Sequence, residues 1–239
     1  CQPSNPPCGR ISKISREGQL TVLAGSFDNG SHADGAGAAA SFLSPSAIAF
    51  DPAGNLLVGE DRPDGAIRKV TPAGVVTTLA RNVQANGVAV GPDGTVYATV
   101  CAKTFGNFQS IPVTMGVVKI AADGSSSLLA GTSESGAIPS TSILGDADGP
   151  GPSARFNCPG GIAVGAGGNL FVADTDNNLV RKITPAGEVS TVVGQRGLYG
   201  IAPGPLPGSL LQPFDVNLDA AGDLYIGTPR AILKVRPAD

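Results

Sequence analysis

Few residues in this sequence are of a type and spacing that could carry chemistry. His32 is the only histidine, and it sits in the small-residue stretch GSHADGAG. A Ser-His-Asp triad needs its imidazole held by an orienting carboxylate on a rigid element. His32 therefore reads as a solvated side chain. Asp34, Asp146 and Asp148 resemble a fragment of a calcium loop, but no bidentate glutamate follows at the required distance. Turn chemistry accounts for them better. The cysteines Cys1, Cys8, Cys101 and Cys158 show no paired C-x-x-C spacing, and one histidine leaves zinc short of ligands. Disulfides in an oxidising compartment are the expectation, with four buried thiols as the alternative. That leaves Asp215, Asn217 and Asn86, whose interest emerges only against the elements that would position them.

Those elements repeat. The stretches 47–58 AIAFDPAGNLLV, 87–98 GVAVGPDGTVYA and 161–172 GIAVGAGGNLFV align without gaps, and 215–226 DVNLDAAGDLYI keeps the frame. Each reads as an alternating strand, a tight glycine-bearing turn and a second alternating strand. A second kind of hairpin follows each: 67–79 IRKVTPAGVVTTL, 117–129 VVKIAADGSSSLL and 180–192 VRKITPAGEVSTV. A copy opens the chain at 11–23 and a cut-off copy closes it at 232–239. One lysine marks the register throughout, at Lys13, Lys69, Lys119, Lys182 and Lys234. Period-two alternation excludes a helical solenoid. Two hairpins per repeat, recurring every ~40–50 residues, predict four-stranded propeller blades.

The segment 161–183, GIAVGAGGNLFVADTDNNLVRKI, resembles the NHL repeat, with its G-[IV]-A-V, G-N-[LIV]-[YF]-V-[AT]-D, N and [IV]-[RK]-[KR] elements. The absence of tryptophan excludes WD-type blades. The resemblance implies an all-β fold, a β-propeller of four-stranded antiparallel NHL-type blades. We read residues 1–239 as one such domain, with an incomplete first blade at about 1–25 and further blades at about 42–80, 81–131, 156–194 and 210–239. With strands lettered a to d from the axis outward, the chain starts at strand c of one blade and stops after strand c of another. About five blades are visible, and five or six are expected in the intact protein.

The a–b and c–d turns are short and alike, so irregularity collects on the opposite, top face, in the b–c and d–a loops. The loop at about 100–116 is the longest of the b–c loops, and Phe105, Phe108, Ile111 and Met115 make it more apolar than an idle connection needs. Phe42, Phe156 and Leu210, each three residues before a proline, read as packing between blades. Cys1 and Cys8 flank QPSNPP closely enough to close a small ring. Cys101 and Cys158 stand at the top on either side of a blade boundary. Cys1–Cys8 and Cys101–Cys158 are the expected pairs among the three that four cysteines allow.

At the first and third positions of strand a, the repeats carry Ala47, Gly87 and Gly161, and Ala49, Ala89 and Ala163. The last repeat has Asp215 and Asn217 instead. A carboxylate and an amide where blades crowd the axis break the internal rule of the repeat. With Asn86, just ahead of another inner strand, they are the candidate ligand site at the channel mouth; Phe105, Phe108 and Met115 are the candidates on the top loop. A cap or water network within the last blade is the plainer alternative for the polar residues.

Charge narrows the partners. Sixteen basic against nineteen acidic residues give −3, with no Lys/Arg block, so neither nucleic acid nor a polybasic membrane anchor is expected. No apolar run reaches the ~18 residues of a membrane-spanning helix. The expected function is a non-catalytic binding or interaction propeller, exported to the periplasm, cell surface or extracellular space, with no cofactor. The NHL resemblance also brings in an amidating lyase, which one histidine excludes, and lactonase-like propellers that hold calcium through carboxylates and amides. A calcium-dependent lactonase-like hydrolase is therefore the alternative.

Overall fold

The computed structural model describes residues 8–26, 32–62, 64–101, 113–134, 144–202 and 206–236. Three complete four-stranded antiparallel sheets follow one another along the chain. Blade 2 comprises Pro45–Phe50, Leu56–Glu60, Ala66–Val70 and Val75–Arg81. Blade 3 comprises Ala85–Val90, Val96–Cys101, Val113–Ile120 and Ser126–Glu134. Blade 4 comprises Pro159–Val164, Leu170–Asp174, Leu179–Ile183 and Val189–Val193. Blade 5 has strands a to c, Asp215–Leu218, Leu224–Gly227 and Ile232–Val235. Ahead of them lies the hairpin Ile11–Ile14 with Leu20–Ala24, in the register of strands c and d. The propeller arrangement expected from the repeats is thus what the chain forms.

The turns explain why the sequence folds this way locally. In every c–d hairpin the residue after the marker and its successor open a tight turn, as in Thr71 N–H to Val75 O and Thr184 N–H to Glu188 O. The turn closes through a glycine at positive φ, +79° at Gly74 and +88° at Gly187, a conformation that a Cβ disfavours. The core sits between blades rather than within them. Leu57 and Ile67 of blade 2 pack on Val88, Val96 and Ile120 of blade 3. Blades 3 and 4 meet through Val117, Phe156, Ile162 and Val172. Blades 4 and 5 meet through Phe171, Val180, Val216 and Ile226. Phe42, Phe156 and Leu210 are fully buried in these seams.

Three short strands were not foreseen. Gly35–Ala36 adds a fifth strand to the outer edge of blade 2, pairing with Val75 and Val76, and Cys8–Gly9 pairs with Phe42–Leu43. The d–a loop at 33–41 thus lies over the blade that it introduces.

That loop holds the least anticipated feature. Arg68, on strand c of blade 2, is fully buried and donates to Ala33 O, Ser41 O and Asp34 Oδ1 at 2.8–2.9 Å, with Glu60 Oε1 at 3.5 Å. Its guanidinium lies 5.3 Å from the Phe42 ring centroid. Blade 4 repeats the arrangement: Arg181 donates to Ala147 O, Arg155 O, Asp148 Oδ1 and Asp174 Oδ2 at 2.6–2.9 Å and lies 5.0 Å from the Phe156 centroid. Thr78 donates to Asp34 and Thr191 to Asp148, each from strand d of its blade. Asp34 and Asp148 are therefore partners of buried arginines, where the sequence reading had them as turn residues. Asp146 pairs with Arg196 at 3.6 Å.

His32 is also corrected. Its side chain is 15% exposed, and Nδ1 lies 2.8 Å from the buried Glu60 carboxylate, which in turn accepts the Leu43 N–H. It closes the end of the Arg68 network instead of facing solvent.

Candidate functional site

The inner strands of blades 2 to 5 line a half-open cavity of about 650 Å³. Its wall is formed by residues 46–50, 86–90, 161–164, 214–215 and 217–218. The inner strands of blades 2, 3 and 4 each carry a register shift at the top, between Pro45 and Ala47, between Ala85 and Gly87 and between Pro159 and Ile162, which re-aims the residues within it; the inner strand of blade 5 has none. Asn86 lies in the second of these, inside the strand rather than just ahead of it.

The structure places Asp215, Asn217 and Asn86 together on this wall. Asp215 accepts the Val216 N–H at 2.9 Å and has no ion-pair partner among the described residues. The protein flanking it on one side pushes its carboxyl above the ordinary carboxylate range, desolvation outweighing that single hydrogen bond. Asn86 Oδ1 is buried with no hydrogen-bond partner among the described residues. Ser46, by contrast, is committed, its hydroxyl donating to Ala85 O at 2.7 Å across the blade boundary.

Two glycines make room for the residues that depart from the repeat. A Cβ at Gly161 would collide with the Asp215 backbone and carboxylate, and a Cβ at Gly227 would come 3.0 Å from the Phe214 ring. Phe214, 54% exposed, belongs to the same wall, with its ring against Gly227. Gly161→Ala should accordingly displace Asp215 and cost about 1–3 kcal/mol of stability through overpacking. Urea denaturation and a crystal structure of the variant would check both halves of that expectation.

The top-loop candidates fare differently. Phe105, Phe108 and Ile111 lie outside the described residues, as does Cys1, and with it the expected Cys1–Cys8 pair. Met115 is not a loop residue. Strand c of blade 3 begins at Val113, and Met115 pairs with Cys101 across strands b and c, 4% exposed. It packs on the Cys101–Cys158 disulfide, which explains its apolar character. That disulfide joins the end of strand b of blade 3 to the start of blade 4, with Cα atoms 4.6 Å apart.

Among the described residues no group of three His, Cys, Asp or Glu side chains is placed to hold a metal ion. No helix there is long and apolar enough to cross a membrane.

Successive four-stranded antiparallel blades around an axial cavity define a β-propeller. A sequence profile of the Teneurin NHL domain matches residues 26–236, and the chain belongs to that family. Solved structures share its architecture. An auxiliary nutrient binding protein from Bacteroides thetaiotaomicron superposes with a TM-score of 0.65 at 17% identity, over 95% of this chain and 53% of its own. A gluconolactonase from Xanthomonas campestris gives 0.60 at 15% identity, over 96% and 65%. A virginiamycin B lyase from Staphylococcus aureus gives 0.51 at 17% identity, over 94% and 62%. At such identities the fold is what is shared. The chain spans about half the length of the first and under two thirds of the other two. No curated protein matches it in sequence.

Proposed function

We propose that this chain is a non-catalytic binding propeller whose ligand enters the axial cavity, with the top loops around the cavity mouth as the surface for a larger partner. The observation that carries this reading is the set Asp215, Asn217 and Asn86: polar groups on a cavity wall otherwise built from small and apolar residues, with a carboxylate lacking a counter-ion and a buried amide oxygen lacking a donor. The buried Asn86 oxygen costs free energy unless something satisfies it, and a cavity of this size suits a small ligand. Binding proteins on the same fold support the reading as analogy. The Cys101–Cys158 disulfide supports an exported protein, since such bonds persist in oxidising compartments. The acidic balance supports partners other than nucleic acid.

The test is a thermal-shift screen of the full chain against sugars, amino acids, nucleosides and amines. Asp215→Ala and Asn217→Ala should abolish the shift given by a hit, with the melting temperature of the free protein within about 2 °C of the parent, as for changes at exposed positions. Hits that survive both substitutions, or a collapse of stability with binding intact, would leave the pair as a structural feature of blade 5. A carboxylate and two amides on one wall are oxygen donors of the kind calcium takes, although fewer than its usual set, so a calcium-dependent lactonase-like hydrolase is the second reading. Stoichiometric calcium in purified protein, together with lactone hydrolysis lost in Asp215→Ala, would favour it.

A further inference from the structure

We infer that the cavity selects an organic cation, an ammonium or guanidinium group seated on Asp215 with its apolar body along Phe214. This inference rests on the cavity being a ligand site and adds the class of ligand.

The argument is one of charge matching. Among the described residues the buried acids are each answered by a cation: Glu60 by His32 and Arg68, Asp174 by Arg181, Asp223 by Lys234 and Arg236. Asp215 is exposed to the cavity and has no such partner. It is the only ionisable group among the described residues of the cavity wall, and no lysine, arginine or histidine of that wall neutralises it. An anionic ligand would meet an uncompensated carboxylate; a neutral one would leave that carboxylate half-desolvated. A cation removes both penalties.

The surroundings are built for such a guest. Gly161 leaves the space that the carboxylate occupies, and Gly227 leaves the space that the Phe214 ring occupies on the same wall. An aromatic face next to a carboxylate holds an ammonium group through its quadrupole as well as through the ion pair. The amides of Asn217 and Asn86 offer acceptors for the remaining N–H groups. A metal ion is less well served, because one carboxylate and two amides fall short of the six to eight oxygens that calcium takes.

Among the described residues no competing titratable group faces Asp215. The adjoining strand Pro159–Val164 has none. On Leu224–Gly227, Tyr225 lies opposite Asn217 and is covered by Lys234, which is tied to Asp219 and Asp223 at the turn. Phe214 brings only its ring.

The probes are three molecules of similar shape: tryptamine, tryptophol and indole-3-propionate, titrated into the full chain by calorimetry at neutral pH. Tryptamine should bind at least tenfold more tightly than tryptophol, and indole-3-propionate more weakly than either. Asp215→Asn should erase the preference of tryptamine over tryptophol, whereas Phe214→Ala should weaken both alike. The preference should fade as the pH drops through the carboxyl range of Asp215, beginning at higher pH than for an ordinary aspartate, because its pKa is raised. Equal binding of tryptamine and tryptophol, both lost in Asn217→Ala, would overturn the cation selectivity and leave the cavity as a ligand site. Tryptamine binding unchanged in Asp215→Asn, or calcium alone displacing tryptamine stoichiometrically, would overturn it too. If no probe binds up to millimolar concentration, the inference falls; the cavity falls with it only if the broader screen is also empty.

Discussion

Arg181→Met should cost about 3–5 kcal/mol of folding free energy, measured by urea denaturation at neutral pH. The arginine is fully buried, and its side chain ties strand c of blade 4 to two segments of the preceding loop and to two carboxylates. Removing it leaves Asp174, also fully buried, without a cation, while Asp174 still accepts from Asn157 N–H and Asn177. Burial already lifts the Asp174 carboxyl to about 6, against the hydrogen bonds and the Arg181 charge that lower it. The sign of the pH response follows. Loss of Arg181 raises the folded-state pKa further above the unfolded value, so the penalty is largest at neutral pH and shrinks as the pH falls through the folded pKa. A double variant, Arg181→Met with Asp174→Asn, should recover much of the loss, because it no longer strands a buried charge. Equal stability of the single and double variants would show that packing on Phe156, rather than charge, makes the contribution.

Breaking the Cys101–Cys158 bridge is expected to cost about 4 kcal/mol on the chain-entropy scale for its loop, the two cysteines being 57 residues apart. The double Ala variant should show this as a lower urea midpoint, and reductant should bring the parent to the same midpoint while leaving the variant unmoved. The bridge also locks two blades at the top, where Met115 covers it. Hydrogen exchange should therefore rise first at the top of the blade 3–blade 4 seam, around Cys101, Met115 and Pro159, with strand ends near the bottom turns less affected. Uniform loss of protection across all blades would point instead to an effect on the unfolded chain alone.

The hairpins, their order and the seams between them were legible in the sequence, because period-two alternation and glycine turns are local signals. The buried arginines were not. Arg68 and Arg181 stand beside the marker lysines, and a local pattern reads an Arg-Lys pair as solvated. The loop carboxylates that meet them lie 34 and 33 residues upstream, and only the recurrence of ADG, Phe, Glu or Asp, and Arg in the same order betrays the network. His32 was misread for the same reason, since Glu60 is distant in sequence. Met115 was placed in a loop because its apolar side chain has no visible partner until the disulfide is formed. Asp215 and Asn217 could be singled out because a repeat supplies its own control: three copies define the rule that the fourth breaks. No such rule encodes a ligand, which is why its class rests on the geometry of one carboxylate and one ring.

The arginine network has a consequence for how such a chain can change length. Blades 2 and 4 carry the full set of loop, acid, arginine and phenylalanine. Blade 3 has Val118 at the arginine position and follows the short connection 82–84, and blade 5 has Leu233 there. Each clasp is self-contained, because its loop carbonyls, acids and arginine all come from one blade and the loop that introduces it. A blade that travels with its preceding loop could therefore be deleted or duplicated with every clasp left whole. A cut between loop and blade would instead strand a buried arginine without its acceptors.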